Sequence, residues 1–308
     1  MRVAVTGASG FCGGHVAGRL AAEGHSVITL GRRPGPVGEH RFWDAAGARP
    51  DLRGAEAVVH LAAEVGDAPP GRRTARFATV NVGGTRRLLA AARGLPVVVV
   101  GSASAYDPRP DRSSVTESHP VASGQLNDYG RTKAAAETFA LAAGAVVLRP
   151  RAVYGPGEAT LLPRLRRTLL PRLSPRAGRT LLLPGPDVVL SLTHVANLAT
   201  ACRDAIGWPP GAYNIADPQP YRRDRALGAV FTAITGEPVR VHHLPLALAR
   251  AAVRAAATTT RLGREPLLTA YSLDLLSATC VLDVSKALRT GWSPRLDLTD
   301  LITGLTPP

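Results

Sequence analysis

The sequence is poor in the residues that would indicate a disulfide scaffold or a metal centre. Cys12, Cys202 and Cys280 are odd in number and form no C-x-x-C pair, and the eight histidines show no H-E-x-x-H or similar ligand spacing. We therefore expect free thiols in a reducing compartment and no bound metal.

Long apolar runs are also absent. No apolar stretch reaches the ~18 residues of a membrane span, and a strand-like segment begins at the amino terminus, where a signal peptide would otherwise lie. These features predict a cytoplasmic protein without a membrane segment.

Aromatic residues are scarce, at 5 % of the chain, although a net charge of +14 would favour nucleic-acid binding. The arginines are scattered, and no helix-turn-helix, zinc finger or base-stacking platform is recognisable, so we expect no nucleic-acid partner. One basic cluster at residues 164–176 falls where substrate is expected to bind, but a solvated helix face is the favoured interpretation of that cluster.

Lysine is the scarcest of the charged residues. Among 37 basic residues only Lys133 and Lys286 are lysines, and Lys133 follows Tyr129 by four positions. On a helix these two side chains would share a face, so the ammonium would lie beside the phenol and lower its pKa. A tyrosine tuned in this way can exchange a proton with an alcohol or a ketone. The alternative is an exposed helical tyrosine beside a solvated lysine.

A glycine-rich loop lies at the start of the chain. Residues 1–5 have the pattern of a buried strand, residues 15–22 that of a helix, and Gly7, Gly10 and Gly13 between them have the spacing G-x-x-G-x-x-G. Glycine permits a tight turn and close backbone approach, and the helix that follows presents its first amides to a pyrophosphate. This order predicts a dinucleotide site.

The remaining pattern predicts a doubly wound parallel α/β sheet. Helical stretches alternate with five apolar runs, at residues 3–5, 27–30, 57–61, 97–100 and 146–148. We expect a dinucleotide-binding Rossmann domain at residues 1–150. A smaller mixed region at 151–308, intimately packed and partly interleaved with the first, is expected to bind substrate.

The glycine loop and Tyr-x-x-x-Lys together resemble the extended short-chain dehydrogenases/reductases, in the NAD-dependent epimerase/dehydratase family. Further segments typical of that family follow in order, at residues 58–63, 81–85, 148–157, 194–199, 213–215 and 283–294. The segments at 195–199 and 283–294 are most similar to the 3β-hydroxysteroid dehydrogenase-like branch.

The resemblance implies a third catalytic hydroxyl after the fifth strand. It assigns Ser102, with Ser104 as runner-up, to orient the reacting oxygen toward Tyr129, and both serines could instead bond backbone groups at the strand end. Beside Tyr129 and Lys133, it assigns the cofactor to Gly7, Ser9, Gly10, Phe11, Gly13, Asp44, Leu61, Ala62 and Ala63, and the substrate to Ser104, Arg151 and Val153.

The end of the second strand departs from the NAD pattern. NAD enzymes place an acid there for the adenosine ribose, whereas this chain has Gly31, Arg32 and Arg33. A guanidinium would hold a 2′-phosphate, so we expect NADP(H) to be favoured, with NAD(H) possible.

The expected reaction is the interconversion of an alcohol and a ketone on a small, bulky or apolar molecule. The Asp-Glu pair of sugar-nucleotide dehydratases is replaced by Ala103 and Ser104, which disfavours dehydration. A nucleotide-sugar epimerase is the alternative, and a non-catalytic cofactor-binding regulator is a third. The stretch 244–259 is either a wall of the substrate pocket or a packed helix.

The resemblance also implies a homodimer. Two helical stretches, at residues 83–93 and 129–143, would pack against their twofold mates, with Leu88, Ala134 and Leu141 contributing apolar area.

Overall fold

Seven parallel strands form the central sheet of the protein. The computed structural model describes residues 1–67, 72–121, 124–158, 179–260 and 269–305. The strands are β1 Arg2–Thr6, β2 Ser26–Gly31, β3 Glu39–Phe42, β4 Ala57–His60, β5 Val97–Val100, β6 Val146–Pro150 and β11 Gly211–Ile215. Their order in the sheet is β11-β6-β5-β4-β1-β2-β3, with every neighbouring pair parallel. All five strands expected from the sequence are present.

Apolar side chains cover both faces of this sheet, because successive residues of a strand point to opposite faces. Val3 and Val5 pack in one core cluster with Val16, whereas Ala4 packs in another with Leu88. The fold is therefore the doubly wound α/β arrangement that the sequence predicts.

Helices connect the strands and continue into the second half of the chain. They are α1 Phe11–Ala22, α2 Arg72–Phe77, a π-helix Ala78–Gly84, α3 Thr85–Ala91, α4 Asp128–Ala142, α5 Val195–Asp204, α6 Arg223–Thr235, α7 Leu246–Thr260, α8 Ala270–Ser277, α9 Ser285–Leu288 and α10 Leu298–Leu305. Short 3₁₀ turns lie at Ala103–Ala105 and Ala205–Gly207. In the parts of the chain that the structure describes, no helix is long and apolar enough to cross a membrane.

The second half of the chain contributes to both parts of the molecule. Strand β11 completes the central sheet beside β6, and Leu198 of α5 lies in the same core as Val16 of α1. Three small two-stranded sheets pair β7 Val153–Tyr154 with β10 Thr193–His194, β9 Val189–Leu190 with β12 Tyr221–Arg222, and β8 Arg179–Pro184 with β13 Val239–Leu244.

Two sequence-based expectations concern the second half. The stretch 244–259 lies mostly in α7, whose described side chains are largely exposed and line neither of the clefts described below. The basic cluster at residues 164–176 lies outside the described residues.

Candidate functional site

The glycine loop lies between β1 and α1 and has no room for larger residues. Gly7 has a φ of 71°, and a β-carbon on it would lie 2.8 Å from the backbone nitrogen of Ala62. A β-carbon on Gly13 would overlap the carbonyl oxygen of Gly7. The loop is held by a 2.9 Å hydrogen bond from the Gly10 amide to the Gly7 carbonyl.

Helix α1 presents its amino terminus at this loop. Its N-cap is Gly10, which has no side chain to accept hydrogen bonds from the first amides. Helix amino termini with such amides bind phosphate, and the absence of β-carbons lets a ligand approach the backbone. The loop therefore fits the pyrophosphate of a dinucleotide. Ser9 is exposed, and Phe11 is half-buried with an edge-on contact to His15.

A buried hydroxyl connects the glycine loop to the end of β4. The Thr6 Oγ1 accepts hydrogen bonds from the amides of Leu61 and Ala62 at 3.1 and 3.0 Å, and lies 2.7 Å from Nδ1 of His60. Burial lowers the pKa of His60 to about 3, which keeps the ring neutral. These contacts place Leu61, Ala62 and Ala63 beside Gly7.

Sequence reasoning did not single out Thr6 or His60 as individual positions. Asn81 is another such residue, since its side chain bonds both backbone groups of Glu64 and the Thr132 hydroxyl of α4. Polar residues within apolar strands, such as Thr6 and His60, were the available signal, because buried polar groups need partners.

Helix α4 positions the tyrosine and the lysine. Asn127 caps it by accepting a 2.8 Å hydrogen bond from the Gly130 amide, and any side chain at Gly130 would overlap the Ser104 carbonyl. Tyr129 and Lys133 consequently lie one helical turn apart, against the loop that follows β5.

The hydroxyl groups of Ser102, Ser104 and Tyr129 lie close together. The phenol of Tyr129 is near enough to Ser102 for that hydroxyl to act on its pKa, and Oγ of Ser102 lies 2.6 Å from Oγ of Ser104. The structure thus brings together the two candidate serines and the tyrosine that the sequence suggested. Ser104 also shares a cleft with a residue that sequence reasoning missed, Tyr271 of α8, whose phenol it is close enough to influence.

The electrostatics of this group differ from the expectation of a lowered tyrosine pKa. Burial raises the pKa of Tyr129 above its ordinary value, and the nearby Ser102 hydroxyl offsets this only in part. The Lys133 ammonium donates to the Val100 carbonyl at 2.6 Å, and burial lowers the pKa of this lysine to about 8. The phenol is therefore neutral, as a proton donor must be.

The serines open into a cleft of about 460 Å³. Its walls include Ser102, Ser104, Tyr271, Arg112, Asp274 and Arg151. Ala152 lines it too and has a φ of 45°, a left-handed conformation that is unfavourable for a residue with a β-carbon. Such strain is concentrated at functional sites, and here it lies where β6 leads into β7.

A second cleft of about 670 Å³ shares Arg151, Ala152 and Leu275 with the first. Most of its wall is aliphatic: Leu190, Leu192, Ala226, Leu227, Val230, Leu275, Leu276, Leu298 and Leu301. Val153 lines neither cleft and packs half-buried against the main core.

The other residues assigned to the cofactor lie at the carboxyl edge of the sheet. Arg32 and Arg33 directly follow β2 and are exposed, and within the described parts of the chain neither forms an ion pair. Asp44 is half-buried, and its carboxylate accepts a 3.0 Å hydrogen bond from the Ala46 amide. The described residues contain no cluster of three metal-ligating side chains.

Comparison with known proteins agrees with this geometry. The profile of the NAD-dependent epimerase/dehydratase family matches residues 3–216. A 2-alkyl-3-oxoalkanoate reductase of Shewanella oneidensis is 28 % identical over 92 % of this chain and 79 % of its own. A 4-hydroxy-2-methyl-3-oxo-4-farnesyl-3,4-dihydroquinoline-1-oxide ketoreductase of Stigmatella aurantiaca is 31 % identical over 82 % of this chain and 78 % of its own.

The steroid branch and the fold are also represented among the similar proteins. A 3β-hydroxysteroid dehydrogenase/Δ5→4-isomerase of Mycobacterium tuberculosis is 30 % identical over 71 % of this chain and 65 % of its own. A short-chain dehydrogenase/reductase of Agrobacterium tumefaciens, solved with bound NAD, superposes with a TM-score of 0.75 at 20 % identity, over 99 % of this chain and 96 % of its own.

Proposed function

The chain belongs to the NAD-dependent epimerase/dehydratase family, and from this premise we propose that it is an NADP(H)-dependent oxidoreductase that interconverts a ketone and an alcohol on a bulky, apolar small molecule. The observation that carries the proposal is the placement of Tyr129 close to Ser102 and one helical turn from Lys133, with Ser102 at the wall of the 460 Å³ cleft.

The residues near the glycine loop fit a nicotinamide dinucleotide. Gly7, Gly10 and Gly13 would hold the pyrophosphate, Asp44 the adenine side, and the turn at Leu61, Ala62 and Ala63 the nicotinamide ribose. When bound, the nicotinamide supplies or accepts a hydride.

The protein's own hydroxyl groups handle the proton. Ser102 donates a hydrogen bond to the substrate oxygen, and Tyr129 gives that oxygen its proton when a ketone is reduced. The raised pKa of Tyr129 favours the neutral phenol and therefore the acid role. Lys133 places a positive charge under the phenol and the ribose as the tyrosine loses its proton.

Cofactor preference depends on Arg32 and Arg33. Both are exposed at the carboxyl end of β2, and the residues that directly follow this strand include no acid that could accept a hydrogen bond from the ribose hydroxyl. Two guanidinium groups there, with no ion pair to a described residue, favour a 2′-phosphate and hence NADP(H) over NAD(H).

The substrate is proposed to be apolar because of the adjoining cleft walls. Several relatives are named as reductases of ketones or dehydrogenases of steroids, which are large apolar molecules. Ser104 and Arg151, which line the first cleft, are the proposed substrate contacts, whereas Val153 does not line either cleft.

The test uses the purified protein with NADPH or NADH and a panel of aliphatic, aryl and steroid ketones, followed at the nicotinamide absorbance band. We expect oxidation of NADPH with a subset of the ketones. Turnover of a nucleotide sugar without net absorbance change would instead establish the epimerase, and cofactor binding without any turnover the regulator.

We also propose a homodimer, with a contact surface that differs in part from the sequence-based expectation. Leu88 is fully buried within its own chain, so it is not available to a partner, and Ala134 is almost fully buried. Phe139 and Leu141 of α4 are 41 % and 37 % exposed and supply the apolar area.

A further inference from the structure

Arg151 is a buried arginine in the wall of both clefts. Only 6 % of the residue is exposed, and it forms no ion pair within the described part of the chain. Its guanidinium donates to the carbonyl oxygens of Ser191 at 3.0 Å and Leu275 at 3.4 Å. A guanidinium has five N–H donors, so two carbonyls leave it with unused donors as well as an uncompensated charge.

Arg149 and Arg223, the other arginines that are buried among the described residues, are neutralised. Arg149 is paired with Glu137, Arg223 with Asp224, and Arg112 with both carboxylate oxygens of Asp274. Burying a charge is costly unless an opposite charge accompanies it. Arg151 departs from this pattern, which indicates that a bound anion completes its environment.

Arg151 lies where the two clefts meet. It lines the cleft that contains Ser102 and Ser104, and it also lines the aliphatic cleft, with Ala152 and Leu275 common to both. Tyr271 lines the first cleft with Arg151 and Ser104, and it is close enough to Arg151 for the positive charge to act on its phenol. An anion on Arg151 would thus have a phenolic donor beside it and the reactive serines in the same cleft.

Apart from Arg151, the polar groups that line the aliphatic cleft are hydrogen-bonded to other groups of the protein. The hydroxyls of Tyr154 and Tyr221 donate to Asp217, and the guanidinium of Arg223 donates to the carbonyl oxygens of Pro184 and Leu276. The cleft therefore offers mainly carbon surface, which suits an alkyl chain better than water or a sugar.

We propose that the substrate is an oxo acid with an aliphatic tail, whose carboxylate binds Arg151 with a hydrogen bond from Tyr271. The oxo group lies at Ser102 and Tyr129, and the tail occupies the aliphatic cleft. The proposal rests on the proposed ketone reduction and adds the charge and shape of the molecule that is reduced. A carboxylate matches one planar guanidinium, whereas a diphosphate would bring more charge than Arg151 alone neutralises.

The test compares a long-chain 3-oxo acid, freshly hydrolysed from its ester, with the methyl ester of the same chain. Both are assayed with NADPH on the wild-type protein and on the Arg151→Met, Arg151→Lys and Tyr271→Phe variants. We expect the wild type to prefer the acid in kcat/KM by on the order of 10- to 100-fold, the range for hydrogen bonds to a charged group. Arg151→Met should lose this preference while still reducing the ester, Arg151→Lys should keep part of it, and Tyr271→Phe should weaken it.

The control is Arg112→Met, which removes a cation from the same cleft that Asp274 already neutralises. It should change the rates with acid and ester by the same factor. The proposal is overturned if the wild type reduces acid and ester equally, or if Arg151→Met slows the reduction of both by the same factor. If Arg151→Met does not fold, the comparison of acid and ester on the wild type still tests the proposal. Failure to reduce any ketone would instead contradict the proposed function.

Discussion

Gly13 packs so closely on Gly7 that a single methyl group between them would overlap the Gly7 carbonyl oxygen. The two glycines join the end of β1 to the first turn of α1. Their contact fixes the angle at which the helix amino terminus faces the loop, and therefore the position of the amides that would hold a pyrophosphate.

Gly13→Ala should therefore abolish dinucleotide binding or the fold of the loop. Gly18→Ala is the matched control, because it lies in the same helix and a β-carbon there meets nothing within 4 Å. That control should keep full cofactor affinity and gain up to about 0.5–1 kcal/mol of stability from helix propensity. Cofactor affinity and thermal stability should be measured for both variants. Equal affinity and equal stability of the two variants would contradict the close packing of Gly13 on Gly7.

Tyr129→Phe removes the proposed proton donor. We expect kcat to fall by at least ~10²-fold, as for loss of a general acid, with cofactor affinity nearly unchanged. Tyr213→Phe provides the comparison, since it deletes a hydroxyl that donates to the Pro209 carbonyl and lines neither cleft. A wild-type kcat for Tyr129→Phe would show that Tyr129 is not the proton donor.

Lys133→Arg should fold, but its kcat should fall on the order of 10²-fold. A guanidinium cannot occupy the compact buried site, and misplacement of a catalytic group by ~1 Å lowers the rate by about this factor. Burial lowers the pKa of Lys133 from 10.5 to about 8, so its charge is lost as pH rises through that value. In the wild type, kcat/KM for reduction should consequently decline above about pH 8.

A pH profile of both proteins checks this assignment. The alkaline decline should be absent from the arginine variant, whose charge persists. A fully active Lys133→Arg protein, or an identical decline in both, would show that the scarcity of lysine has no catalytic meaning.

Arg32→Ala/Arg33→Ala should weaken NADPH binding by about 1.5–3 kcal/mol and leave NADH binding nearly unchanged, since only the 2′-phosphate is affected. Gly31→Asp should also shift the preference from NADPH toward NADH, because its carboxylate repels the 2′-phosphate and accepts a hydrogen bond from the ribose hydroxyl. Exposed Arg93, before the amino end of β5, provides the control Arg93→Ala. A wild type that prefers NADH would refute the cofactor assignment.

Light scattering should show a species near twice 32.2 kDa. Phe139→Glu or Leu141→Glu should shift it toward the monomer without unfolding the chain, because both side chains are partly exposed on α4. A wild type that remains monomeric at high concentration would contradict the dimer.

Much of this protein could be predicted from local patterns. Short apolar runs of period two, a glycine loop between strand and helix, and a Tyr-x-x-x-Lys spacing each depend on residues close in the chain. They predicted the five strands and the doubly wound class correctly, and the family resemblance to epimerase/dehydratase proteins was confirmed.

Contacts between distant segments could not be predicted in this way. Helical spacing placed Lys133 beside Tyr129, but the lysine donates to Val100 of β5, and burial raises rather than lowers the pKa of the tyrosine. Leu88 has the pattern of an interface residue and is buried under its own sheet.

The same limit applies to Tyr271 and Arg151. They are 120 positions apart in the sequence, and only the folded chain brings the tyrosine into the cleft of Ser104 and leaves the arginine with no acid paired to it among the described residues. Periodicity reports which face of a helix or strand is buried, whereas burial of a charge depends on every element packed around it. The local sequence therefore specified the scaffold and the glycine loop, and tertiary packing set the electrostatics of the candidate site and the shape of its two clefts.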